Sequence, residues 1–257
     1  MLRKLFFIVL IIMFFIIDIS HASICKRKFP KDVDIYIPMI ESIVYKYMPN
    51  FKPWQYFPAL IEHETCITLC SKRCFNPKAR LKTRREEGGG LGQITRVFRK
   101  NGMVKWDMLA TLKRWYPKEL SGLTWDNLYD RPDLQIKALV LLWRRNYNML
   151  PKTIKGIDRI AFADSMYNGG YYWLRIERSI CKLRKNCDPN KWFGNVEKIK
   201  SRRARQKLYG NRTAWDINRH HVRDVIKIRL PKYLERYRDV KQLLNELGYE
   251  SYSQQGD

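Results

Sequence analysis

The chain has little of what marks a β-rich, repetitive or membrane-spanning protein. Alternation of apolar and polar residues is nearly absent, which argues against a sandwich or barrel built on a two-residue period. No internal repeat or low-complexity segment is visible. No Pro/Gly/Ser-rich linker marks a boundary, so residues 23–257 are expected to form one domain. Acidic residues are scarce: 25 Asp plus Glu stand against 50 Lys plus Arg, for a net charge of +25 in 257 residues. Histidine occurs only four times. The uncharged apolar run Leu5 to Ile17 has thirteen residues, short for a permanent transmembrane helix.

The first residues carry an export layout instead. Arg3 and Lys4 precede the apolar run, Asp18 ends it, and Ser20-His21-Ala22 supplies small residues around His21. Residues 1–22 therefore read as a signal peptide, or as a signal anchor if retained. Ile24 before Cys25 argues against a lipoprotein. The positive charge favours polyanionic partners, namely nucleic acid, an anionic membrane surface or bacterial wall polymer. Export argues against nucleic acid and for the wall. The six cysteines, Cys25, Cys66, Cys70, Cys74, Cys181 and Cys187, suggest disulfides in an exported chain. Cys66 with Cys74 and Cys181 with Cys187 are the sequence-local pairs. Cys66-x3-Cys70-x3-Cys74 lacks the spacing and fourth ligand of a zinc site, so no metal and no cofactor is expected.

A helical period dominates. Stripes are expected at Ile37, Ile40, Val44 and Tyr47, with Pro38 in a first turn. Further stripes are Phe57, Leu60, Ile61 and Glu64; Val104, Met108, Leu112 and Tyr116; and Leu134, Ala138, Leu141 and Leu142 after a cap at Asp130. Ile157, Ile160, Ala161 and Asp164 belong to a helix ending at Asn168-Gly169-Gly170. Ile176 and Ile180 lie on another. Residues 213–247 suggest two helices broken near Leu230-Pro231, and 198–207 an exposed basic helix. The fold expected is mainly α, with at most a small β-hairpin around residues 77–90.

Three segments carry chemistry. Glu64 follows an apolar helix; facing a cleft there, its carboxyl would lose solvation and keep a proton for acid catalysis. Glu62 is two residues away and must face elsewhere. His63-Glu64 is not a zinc-protease helix, because Ile67 stands where a second histidine is needed. Gly88-Gly89-Gly90-Leu91-Gly92-Gln93 lacks the Lys and Ser/Thr of a phosphate loop, and Gln93 offers an amide to sugar hydroxyls. Tyr167-Asn168-Gly169-Gly170 offers a flat ring at a helix end. His220 and His221 read as two polar residues on an exposed helix.

In order and type, Glu64-Thr65, Gly90-Leu91-Gly92-Gln93 and Tyr167-Asn168-Gly169-Gly170 resemble the soluble lytic transglycosylase family, related to goose-type lysozyme, and phage-type endolysins in particular. The likeness covers residues 58–170. Thr65 stands where that family carries serine, and Gly92 where it carries methionine, which implies extra room beside the cleft. The resemblance implies a lysozyme-like domain that cleaves the β-1,4 bond between N-acetylmuramic acid and N-acetylglucosamine, with Glu64 as acid and then base and a 1,6-anhydro product. Thr65, Gly90, Leu91, Gln93, Tyr167 and Asn168 would bind the glycan. A hydrolytic muramidase would need a second carboxylate, for which Glu86, Glu87 and Asp164 are the candidates. The chain would act as a monomer. Competing readings are a non-enzymatic binder of wall or membrane and an exported nucleic-acid binder.

Overall fold

The computed structural model describes residues 28–66 and 74–238. The expected signal segment, Cys25, Cys70 and the tail beyond 238 lie outside the described residues. The protein is mainly helical, with a four-stranded and a two-stranded antiparallel sheet.

Helix α1 (Val33–Tyr47) buries Val33, Ile37, Ile40 and Val44, one stripe at three- and four-residue intervals. Pro38 lies within this helix and not in its first turn. Helix α2 (Tyr56–Thr65) is buried on almost every side, including Glu62. Helix α4 (Pro132–Met149) runs through the middle and is shared by two apolar clusters. Ile136, Leu139, Val140 and Trp143 face the larger one, with Phe57, Leu60 and Phe162. Leu134, Ala138 and Leu141 face the smaller one, with Leu109, Leu112 and Leu128. Trp143, Phe57 and Tyr56 are fully buried, with ring centroids 4.8–5.5 Å apart.

The β region is larger than the expected hairpin and begins inside it. Strands β1 (Arg80–Lys82), β2 (Glu86–Gly89), β3 (Ile94–Phe98) and β4 (Val104–Asp107) form an antiparallel meander in chain order. Charge pairing across strands supports it where hydrophobic alternation does not. Glu87 lies opposite Arg96, and its two carboxylate oxygens accept from Arg80 on β1 and Arg96 on β3 at 2.7 Å.

Val104 is therefore in a strand, and helix α3 (Met108–Trp115) starts four residues later than its apolar spacing suggests. Asp107 sets that start. Its Oδ1 accepts from the Ala110 N–H at 2.9 Å and its Oδ2 from the Trp125 indole at 2.9 Å. Asp130 is not the cap of α4 but ends a short 3-10 turn (Leu128–Asp130), and Arg131 takes the cap position.

Helix α5 (Gly156–Gly169) ends at Gly170, φ 79°, and helix α6 (Tyr171–Lys182) follows at once. The basic stretch 198–207 is no exposed helix. It forms a 3-10 turn (Arg202–Arg205) whose Arg203 is buried against Glu177 at 2.7 Å. A hairpin, β5 (Lys207–Tyr209) and β6 (Arg212–Thr213), leads into helix α7 (Ala214–Arg223). Thr213 and Asp216 cap α7 reciprocally, each side chain bonding the other's backbone N–H at 3.0–3.1 Å. The chain then widens into a π-type turn (Asp224–Arg229) before helix α8 (Leu230–Arg236), whose Pro231 has no N–H to continue the ladder. Helix α2 packs against the π turn and α8, and α5 packs against α7.

Disulfides join Cys66 to Cys74 and Cys181 to Cys187, as expected from sequence. Such bonds belong to an oxidising compartment. No helix among the described residues is long and apolar enough to cross a membrane.

Candidate active site

Glu64 occupies the last turn of α2, where the helix has buried its apolar faces and its end meets an open cleft. The cleft, of about 430 Å³, is lined by Glu64, Glu86, Gln93, Tyr167 and Asn168, with the rings of Trp106 and Tyr209 beside them. The Glu64 side chain is 14% exposed. Its neighbour Glu62 points away and is buried beside Lys232 and Arg229, at 2.7 and 2.9 Å, with the Tyr233 hydroxyl donating to it at 2.6 Å.

The surroundings of Glu64 are more polar than the end of an apolar helix suggests from sequence. The imidazole of His221, buried on α7, bridges two carboxylates: Nε2 is 2.8 Å from Glu64 Oε1 and Nδ1 is 2.8 Å from Asp164 Oδ2. Burial alone would lower the imidazole pKa, but Asp164 and Glu64 outweigh it and raise it from 6.5 to about 10. At neutral pH both ring nitrogens therefore donate. Asp164 also accepts from the Tyr56 hydroxyl, which accepts in turn from the Trp143 indole at 2.8 Å. A chain of polar groups thus runs from the cleft into the core without a buried member lacking a partner.

A second pair braces this one. His63 Nδ1 is 2.6 Å from Asp224, and its ring stands edge-on to His221 with centroids 4.3 Å apart. Burial and the neighbouring His221 lower the His63 pKa. Partial burial alone would raise the Asp224 carboxyl, but His63 and Arg229 outweigh it and hold it well below its ordinary range.

The two glycine-containing corners meet at one hydrogen bond, in which the Tyr167 hydroxyl donates to the Gly92 carbonyl at 2.5 Å. Burial and the nearby carboxylates of Glu64 and Asp164 raise the Tyr167 pKa well above 10, so this donor persists across ordinary pH. Gly92 does not leave open room. A Cβ there would come within 3.0 Å of Leu139 Cβ and 3.3 Å of the Tyr167 hydroxyl, which fill the space. Gln93 lies in the left-handed region, φ 44°. Its amide nitrogen donates back to Gly90 at 2.9 Å and Ala79 at 3.2 Å, so both amide hydrogens are spent on backbone carbonyls.

Other expected ligand-binding residues have structural positions. The Thr65 hydroxyl is buried, donating to Ile61 at 2.7 Å and accepting from the Phe75 N–H at 2.8 Å. It ties the end of α2 to the chain returning from the Cys66–Cys74 loop. Leu91 is fully buried, its N–H held by Gln135 at 2.7 Å. Gly90 adopts φ 74° against that same glutamine. Asn168 is exposed at the cleft and accepts from Asn218 at 3.2 Å.

The three candidate second carboxylates also separate. Glu87 is buried between Arg80 and Arg96, and both oxygens of Asp164 are taken. Glu86 lines the cleft, and its Oε1 has no hydrogen-bond donor among the described residues; Arg85 stands 3.7 Å away. Trp106 and Tyr209 carry no signal in the sequence, and His221 reads there as a residue of an exposed helix. The exposed-helix reading of His221 fails because α7 turns that residue into the core, a contact no local pattern announces. No family model matches the chain, and no curated protein matches it in sequence.

Proposed function

We propose that this protein cleaves peptidoglycan glycan strands at the β-1,4 bond between N-acetylmuramic acid and N-acetylglucosamine, without consuming water. The carrying observation is the common cleft of Glu64, the Gly92-Gln93 corner and the Tyr167-Asn168 helix end, closed by the Tyr167–Gly92 hydrogen bond. The resemblance of these three segments to lytic transglycosylases supports the same reading. The exposed rings of Trp106 and Tyr209 give pyranose faces apolar surfaces on which to stack.

In this reading the His221 Nε2 proton passes to Glu64, leaving a neutral imidazole with its other N–H on Asp164. Glu64 then protonates the glycosidic oxygen as the bond to the anomeric carbon breaks. The resulting carboxylate takes the proton of the muramyl C6 hydroxyl, whose oxygen closes on the anomeric carbon. Glu64 ends protonated, and the product carries a 1,6-anhydro ring.

A second reading is hydrolysis on the same cleft, favoured by one observation: Glu86 lines it with a side chain that is 18% exposed. A carboxylate so placed is suited to activating water. Digestion of purified peptidoglycan followed by mass spectrometry separates the two. Anhydro ends support transglycosylation, reducing muramic acid ends support the hydrolase, and no cleavage that depends on Glu64 refutes both.

A further inference from the structure

A second pocket, of about 420 Å³, lies along helix α6 and shares no lining residue with the cleft of Glu64. Its floor is apolar, made by Leu150, Pro151 and Leu174, and its wall carries Arg175, Arg178, Ser179 and Lys182. These four recur three and four residues apart, so they share one face of the helix. No Asp or Glu lines the pocket. Among the described residues no carboxylate pairs with Arg175, Arg178 or Lys182, whereas Glu177 on the opposite face is saturated by Arg203 and Arg219.

The pocket is held in shape. Arg178 donates from Nε to the Pro189 carbonyl at 2.8 Å and from Nη2 to Asn190 Oδ1 at 3.0 Å. Pro189 and Asn190 follow the loop closed by the Cys181–Cys187 disulfide. The Asp188 N–H is bound by Asn195 at 2.8 Å, and the Trp192 N–H by Asp158 at 2.8 Å. Burial lowers the Arg178 guanidinium below its ordinary value. Three cations line one cavity with no carboxylate among the lining residues, so an entering anion would relieve their mutual repulsion.

We infer that this pocket binds a phosphate group carried on a small polyol or sugar. A tetrahedral oxyanion can accept from an arginine fork, an ammonium and a hydroxyl together, whereas a planar carboxylate is largely satisfied by one fork. The apolar floor and the cavity's size leave space for the carbon portion. The same group occurs in phosphodiester wall polymers and in lipid headgroups.

The test uses the full, disulfide-bonded chain in calorimetric titrations with glycerol phosphate and sedimentation with phosphatidylglycerol vesicles. The comparison is the double variant Arg175→Glu, Lys182→Glu, which leaves Arg178 and its loop contacts in place. Saturable glycerol phosphate binding that weakens at least about tenfold in a double variant of unchanged melting temperature supports the site. Vesicle binding that needs both cations and is displaced by free glycerol phosphate makes the headgroup the source. Binding of free glycerol phosphate without vesicle binding makes it the polymer. No saturable binding by the wild type, or equal binding by the double variant, overturns the proposal.

Discussion

His221 Nε2 lies 2.8 Å from Glu64 Oε1, joining residues 157 positions apart in the chain. The contact makes the proposed acid one half of a donor–acceptor pair, with Asp164 fixing the far side of the ring. Replacing Glu64 by Gln keeps an oxygen that can accept from His221 but leaves a side chain that can neither take up that proton nor deliver it. Glycan cleavage should fall about 10²–10⁴-fold, with the far-ultraviolet spectrum and melting curve preserved. Release of soluble muropeptides within tenfold of wild type would sink the assignment.

The raised pKa of His221 predicts a particular dependence of stability on pH. The folded value of about 10 exceeds the ordinary 6.5, so the folded state binds this proton more tightly. The stabilisation is complete below about 6.5 and disappears as pH rises through about 10. In urea titrations, wild type should lose stability across that window more steeply than His221→Gln. Parallel curves for the two proteins would show that the ring carries no such proton.

Two glycines separate backbone strain from steric clash. Gly90 has φ 74° and a Cβ would meet the Gln135 side chain at 2.5 Å; Gly102 has φ 82° with nothing within 4 Å. Gly102→Ala should cost about 1 kcal/mol, and Gly90→Ala about 2–4 kcal/mol. Equal losses in denaturant unfolding would mean that Gln135 yields freely.

The adjacent carboxylates Glu86 and Glu87 should behave differently. Glu87→Gln weakens ion pairs on both flanking strands and should cost about 1–3 kcal/mol. Glu86→Gln should leave stability nearly intact. If anhydro ends persist unchanged in Glu86→Gln, water activation by Glu86 has no part in turnover. If products vanish, the hydrolytic reading holds.

How far the fold could be read from sequence depended on whether the signal was local. The α1 stripe at Ile37, Ile40 and Val44, the end of α5 at Gly170 and both disulfide pairs were legible from spacing. Val104 was misassigned because a strand residue four positions before Met108 mimics a helical step. The basic stretch misled because the net count of Arg and Lys conceals that Arg203 is buried on Glu177. For the site, Glu64, Gln93 and Tyr167 could be named in advance. The environment of Glu64 could not, because its histidine comes from a helix far along the chain. Glu62 illustrates the same limit: its partners Arg229, Lys232 and Tyr233 all lie in the C-terminal third.

The location of His221, Asp224 and Arg229 on the last described helical stretch sets an order of assembly. A growing chain can present Glu64 long before its imidazole exists. Until about seven-eighths of the sequence has been made, Glu64 has no imidazole beside it, and the face of α2 that meets the π turn and α8 is uncovered. A nascent or C-terminally shortened chain therefore carries the carboxylate of Glu64 without the ring that holds it in place.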